Sequence, residues 1–205
     1  MNSFNKILIN WYDEKKYSFP WRETSNPYYI WVSEIMLQQT QVNTVIPFYN
    51  AWIKRFPTLN DVAKASDEEI FKYWEGLGYY QRALNLRDAC IIIVNHYNSE
   101  IPQKKEQLLT LKGIGEYTAS AILSIAFGSV YPAIDGNLKR IMSRLLLLPD
   151  FKTDSINKLE SFLIKKISQH RPGDFNQALM DLGRTICQPR IPKCADCPIS
   201  MFCIS

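Results

Sequence analysis

Six side chains have the types and settings to do chemistry: the carboxylates Glu34 and Asp135 and the thiols of Cys187, Cys194, Cys197 and Cys203. Glu34 lies in the run Tyr28-Tyr29-Ile30-Trp31-Val32-Ser33-Glu34-Ile35-Met36-Leu37, which is apolar nearly all round. A helix of that kind is buried. A carboxyl carried inside it is poorly solvated when ionised, so its pKa rises and it can serve as a proton donor. Asp135 is approached by Pro132-Ala133-Ile134 and followed by Gly136-Asn137, which sets its charge at the mouth of a helix. Beyond Glu34 come Gln38, Gln39, Thr40 and Gln41, uncharged groups that both donate and accept hydrogen bonds. On one continuous helix Gln38 and Gln41 share the face of Glu34 and line it with base-reading groups.

The thiols follow the spacing Cys187-x6-Cys194-x2-Cys197-x5-Cys203. Zinc sites pair short Cys-x2–4-Cys knuckles, and the outer gaps here do not form two of them. Iron–sulfur clusters accept more varied spacing, so the pattern favours a cluster over zinc. A cytoplasmic chain argues against disulfides. That location is the expectation because Met1 to Lys16 shows neither a secretory apolar region nor a cleavage site. Cys90 stands apart in an apolar helical pattern and reads as a small core residue.

The elements that must position these groups read as helices almost throughout. The patterning predicts helices over 4–14, from 27 to about 49 with an interruption near Pro47, and over 48–55, 59–64, 67–75 and 80–98. Further ones are predicted over 104–110, 116–127, 137–147, 154–169 and 174–186. Thr58 and Ser66 are placed as caps. Between two of these helices lies the hairpin Leu111-Lys112-Gly113-Ile114-Gly115. Both glycines can take positive φ and turn successive N–H groups outward at a helix start, an arrangement that favours a phosphate, with Lys112 beside it. A hydrophobic content of 46% with 21% charged residues describes a globular chain, and the net charge of +4 suits an anionic partner.

The order of hairpin, apolar helix, Gly128, Pro132 and Asp135 resembles the helix-hairpin-helix-Gly-Pro-Asp signature of the endonuclease III superfamily of DNA glycosylases. The segments PWR, NPYYIWVSEIMLQQTQV, WEGLGYYQRALNL and FNQALMDLG resemble its adenine-specific branch over nearly the whole chain. The resemblance implies an all-α fold of two helical lobes with DNA in the cleft. One is a helical barrel over 25–135 with the hairpin; the other joins 1–24 to 136–205 and carries a 4Fe–4S cluster on the four cysteines. It also implies a monomer, no membrane, and double-stranded DNA with a mispaired adenine as partner.

By the same resemblance Glu34 protonates the adenine ring, Asp135 stabilises or captures the anomeric carbon and Asn137 supports the site. Gln39 and Tyr79 enter the opened base stack, with Gln38 and Thr40 beside them, and Arg22 helps to hold the extruded base. Gly113, Gly115, Lys112, Arg190 and Lys193 address phosphates. The chemistry agrees: adenine leaves poorly unless protonated, and the sugar left behind is oxocarbenium-like, so an opposing carboxylate is useful. A mismatched base also costs less to unstack. Bifunctional relatives place a Lys where Tyr117 stands, so the expected enzyme is monofunctional.

The rival readings are a thymine mismatch glycosylase, an endonuclease III-like glycosylase/lyase, and a non-catalytic DNA-binding module. Glu34 followed by QQTQ, with Tyr117 in place of Lys, argues against the first two. A binding module has no use for both Glu34 and Asp135. Adenine-specific relatives continue into a NUDIX-like domain that helps to recognise 8-oxoguanine, and residues 204–205 after Cys203 do not supply one.

Overall fold

The structure, a computed structural model, describes residues 3–15, 17–148 and 152–205. The described residues hold eleven α-helices and no strand: α1 (Phe4–Lys15), α2 (Pro27–Met36), α3 (Val42–Arg55), α4 (Leu59–Lys64), α5 (Asp67–Trp74), α6 (Gln81–His96), α7 (Lys105–Leu109), α8 (Glu116–Phe127), α9 (Gly136–Leu146), α10 (Thr153–Lys166) and α11 (Pro172–Thr185). None is long and apolar enough to cross a membrane. The chain divides into two compact units, Ser18–Ile122 and a second made of Met1–Tyr17 with Leu123–Ser205. The boundaries differ from those read in the sequence. The second unit takes the end of α8 and the loop up to Asp135, because Asn176 of α11 bonds to that loop.

In the first unit α2 begins where Asn26 accepts the Tyr28 N–H at 2.9 Å and Pro27 opens the first turn. Its apolar faces close around Trp31, Trp52 and Trp74, all fully buried. Tyr28 is buried within this core and satisfies its own hydroxyl there. It donates to the Phe56 carbonyl at 2.8 Å and accepts from the Trp52 indole at 3.0 Å. Thr58 caps α4 reciprocally with Asp61, and Ser66 caps α5.

The helix expected to run from Pro27 to about Tyr49 is two helices. It stops at Met36, and Leu37 to Thr40 form a turn before α3 starts. Pro47 does not break the chain; α3 runs through it. The carbonyl that its missing N–H leaves without a helical partner is that of Asn43, an exposed residue. The break at residues 37–41 comes from a distant side chain, described below.

The second unit packs α1 and α9 against α11. Its core joins Phe4, Leu8, Leu138, Met142, Leu163, Phe175 and Leu182. Phe4 meets the edges of Phe162 and Phe202, so the first helix is tied to the last residues of the chain. Arg171, just before α11, clamps Asp13 of α1 with two bonds of 2.8 and 2.7 Å.

Candidate active site

The first unit supplies Glu34. Only 5% of it is exposed, and the Tyr117 hydroxyl donates to its Oε2 at 2.7 Å. Glu34 is set by the apolar α2, and Tyr117 by the first turn of α8, immediately after the hairpin. A carboxyl buried in this way is shielded from water and has the Tyr117 hydroxyl as a polar partner.

Gln38 and Gln41 do not share the face of Glu34. Gln38, Gln39 and Thr40 lie in the turn after α2, and Gln41 is the N-cap residue just before α3. The turn is closed by Arg82, whose guanidinium donates to the carbonyls of Ile35 at 2.8 Å, Met36 at 3.2 Å and Gln38 at 2.6 Å. Its other nitrogen reaches the carbonyls of Leu77 at 3.3 Å and Gly78 at 3.1 Å. A cation at the C-terminus of α2 satisfies carbonyls that have no helical partner and complements the negative end of the helix dipole. Gln39 and Tyr79, one on each tethered segment, both have left-handed backbone, φ 59° and 50°. Tyr79 is 63% exposed.

Of the hairpin glycines only Gly113 is left-handed, at φ +79°. The Ile114 N–H turns back to the Leu111 carbonyl at 3.2 Å, so the hairpin does not present an unbroken row of outward N–H groups. A short turn closes with its own hydrogen bond, and the middle amide is used for it. Lys112 is exposed and paired with Asp88 at 2.7 Å, a surface pair weak enough to exchange for a phosphate. Arg22 lies in the single turn Pro20–Arg22, its guanidinium 4.8 Å from the Phe19 ring centroid.

The second unit supplies Asp135. It caps α9, with Oδ1 accepting the Leu138 N–H at 2.7 Å, and Oδ2 accepts from the Asn137 side chain at 3.0 Å. Burial holds its carboxyl above the usual aspartate range, opposed by those two bonds and by the Arg140 charge. The loop before it is fixed by Asn176, a fully buried side chain that donates to the Tyr131 carbonyl and Ser124 Oγ, both at 2.8 Å, and accepts the Ala133 N–H at 3.1 Å. Asn137 in turn accepts from Arg140 at 2.9 Å, and Arg140 also donates to the carbonyls of Gly183 and Cys187. Gly183 permits this close approach, since a Cβ there would lie 2.9 Å from the Asn137 Cβ.

Cys187, Cys194, Cys197 and Cys203 line one cavity of about 100 Å³ with Ile141, Leu145, Leu182, Ile186 and Ile199. Burial, and then the neighbouring Cys187, Cys203 and Cys194, push the Cys197 thiol up. Among the described residues no three His, Cys, Asp or Glu side chains come together tightly enough for a single metal ion. Arg144 donates to the Cys187 sulfur at 3.3 Å and to the carbonyls of Gln188 and Pro189. Arg190 and Lys193 are exposed on the loop between the first two cysteines.

Residues 32–166 match the family described as HhH-GPD superfamily base excision DNA repair protein. The chain belongs to the HhH-GPD superfamily. The matched span takes in Glu34, the hairpin, Asp135 and Asn137, while Arg22 and the four cysteines lie outside it. The HhH-GPD chain is 42% identical to an adenine DNA glycosylase of Rattus norvegicus, over 99% of this chain and 42% of that protein. It is 38% identical to an adenine DNA glycosylase of Buchnera aphidicola, over 98% of this chain and 59% of that protein. It thus spans between two and three fifths of these relatives. A solved thermostable thymine-DNA glycosylase has the same fold at a TM-score of 0.87, with 29% identity over 98% of this chain and 94% of that one.

Three residues that hold these side chains in place, each within its own unit, were not among those singled out in the sequence: Arg82, Asn176 and Arg140. Two lay inside motifs that were read for their neighbours, WEGLGYYQRALNL and FNQALMDLG. The available signal was polarity out of phase. Asn176 stands in the most buried part of α11, where an amide is found only when its bonds are met.

Proposed function

We propose that this chain is the catalytic region of a monofunctional adenine DNA glycosylase that acts on duplex DNA carrying adenine opposite guanine or 8-oxoguanine. The observation that carries adenine as the base is the 37–42% identity to adenine DNA glycosylases over 96–99% of this chain. The setting of each carboxyl within its own unit supports its part in the reaction. Glu34, buried and held by Tyr117, gives its proton to the adenine ring, which makes the base a good leaving group. The bond from C1′ to the base nitrogen then breaks, and its electron pair leaves with the protonated base. Asp135 supplies negative charge to the oxocarbenium-like sugar, Asn137 fixes that carboxylate, and water adds to C1′ to leave an abasic site.

Gln39 and Tyr79, exposed on strained turns, fill the opened stack, with Gln38 and Thr40 beside them and Arg22 near the extruded base. Gly113 and Gly115 of the hairpin, Lys112, Arg190 and Lys193 meet the phosphates. Four thiols around one cavity fit a 4Fe–4S cluster held by Cys187, Cys194, Cys197 and Cys203. When bound, such a cluster cross-links the last loops of the chain through iron–thiolate bonds.

The deciding experiment is single-turnover excision on duplexes carrying A opposite 8-oxoguanine, G and C, together with T opposite G. Release of adenine from the first two, with an intact abasic strand that breaks only in alkali, is expected. Release of thymine alone would favour the reading suggested by the thymine-DNA glycosylase likeness. A borohydride-trapped adduct in stoichiometric yield would overturn the monofunctional assignment.

A further inference from the structure

Arg82 holds together two segments of the first unit: the end of α2 with the turn after it, and the turn after α5. From α6 it grips the carbonyls of Ile35, Met36 and Gln38 on one side and those of Leu77 and Gly78 on the other. Immediately beyond each gripped segment stands a side chain that a left-handed backbone turns outward: Gln39 after Gln38, and Tyr79 after Gly78. Left-handed backbone is disfavoured for residues other than glycine and persists only where the surroundings over-determine it. Here one planar guanidinium bonds to both segments. Its fork spans five carbonyls in two segments, and its carbon lies 5.5 Å from the ring centroids of both Tyr79 and Trp74. Trp74 adds a bond from its indole to the Gly78 carbonyl at 3.1 Å.

We propose that Arg82 is a positioning residue for base opening: it couples the Gln39 and Tyr79 turns into one preformed wedge and pre-pays the order that the wedge needs to hold a duplex apart. The proposal rests on the reading that Gln39 and Tyr79 enter the opened stack. Arg82 touches neither base nor sugar in this scheme; it acts through the two turns. Preorganisation of this kind lowers the ordering cost at the moment of binding. Its benefit is greatest where the adenine is still stacked and least where the base is already free.

The test compares wild type, Arg82→Met and Arg82→Lys in the full chain, with Gln39→Ala and Tyr79→Ala alongside. Opening is read from the fluorescence rise of 2-aminopurine at the target position. Excision is read in single turnover on A opposite G and on A opposite an abasic-site analogue, where the base is poorly held. Arg82→Met should lose ~10-fold or more on the stacked duplex and less than ~3-fold on the opened one, with a smaller fluorescence rise. Arg82→Lys should fall between, because an ammonium cannot span both segments, and it carries the test if Arg82→Met does not fold. Combined with Gln39→Ala and Tyr79→Ala, Arg82→Met should cost opening little more, as residues of one device do. Equal losses on both duplexes, or a full additional loss in the combined variant, would make Arg82 a general stabiliser and overturn the proposal. If Arg82→Met opens DNA like wild type while Gln39→Ala and Tyr79→Ala do not, the coupling is wrong and the wedge stands. If Gln39→Ala and Tyr79→Ala open DNA like wild type, the wedge itself is wrong.

Discussion

Replacing Asp135 by Asn separates its charge from its structural work. The side chain does two structural things: it caps α9 through the Leu138 N–H at 2.7 Å and accepts from Asn137 at 3.0 Å. Asn keeps an acceptor for the cap, and the two residues cap helices about equally well. What is lost is the Asn137 bond, about 1.5–3 kcal/mol when the acceptor is charged. Burial already disfavours the carboxylate, as its raised pKa shows, and a neutral amide recovers part of that loss. The net change in stability is therefore on the order of 1 kcal/mol, or a melting shift of about 2–4 °C for a chain of this size. Asp135→Ala removes the cap as well and adds about 1 kcal/mol. Excision responds differently. Loss of a preorganised electrostatic group at a developing charge costs about 10²–10³-fold in rate. Thermal melts with single-turnover excision on A opposite 8-oxoguanine give both quantities. If the Asn variant excises within about threefold of wild type, Asp135 is only a helix cap and the proposed chemistry fails.

The pH profile tests the same carboxylate. In the proposed chemistry excision needs it ionised, so the rate is expected to fall as pH drops through a pKa that burial has raised above the aspartate range. Asn137→Ala removes one of the bonds that favour the ionised form and should move this acid limb to higher pH; an unmoved limb would assign it to another group. In the hairpin, Gly113→Ala should cost about 1–2 kcal/mol and weaken binding to any duplex, since φ is +79° and a Cβ would lie 3.0 Å from the Asn85 Cβ. Gly115→Ala, with nothing within 4 Å of its Cβ, should melt like wild type. Anaerobically purified protein should be brown and carry about four iron per chain, measured by metal analysis. Stoichiometric zinc without iron would refute the cluster.

Features that depend on neighbours in the chain were legible without coordinates. The caps at Thr58 and Ser66, the place of Asp135 at the mouth of α9, the ends of most helices and the Leu111–Gly115 hairpin follow from residues within one turn of each other. The buried setting of Glu34 follows from the apolar run around it. Its hydrogen bond to Tyr117 does not, because the two are 83 residues apart.

The flank of glutamines beside Glu34 was misread for a physical reason. A helix pattern continues through residues 37–41, and no residue there forbids it. The break is selected by Arg82, whose guanidinium satisfies the carbonyls of Ile35 and Met36 from 47 and 46 residues away, so that ending α2 there leaves no orphan acceptors. Gly115 followed the same logic: local sequence permits positive φ at both hairpin glycines, and the bond from Ile114 back to Leu111 requires it at only one. Asn176 holds the Asp135 loop across 43 and 45 residues of sequence. The sequence alone determined which carboxylates and thiols are available and what lies next to each along the chain. Tertiary structure decided where helices stop and which side chains hold the turns, because those choices depend on satisfying backbone groups from a distant helix.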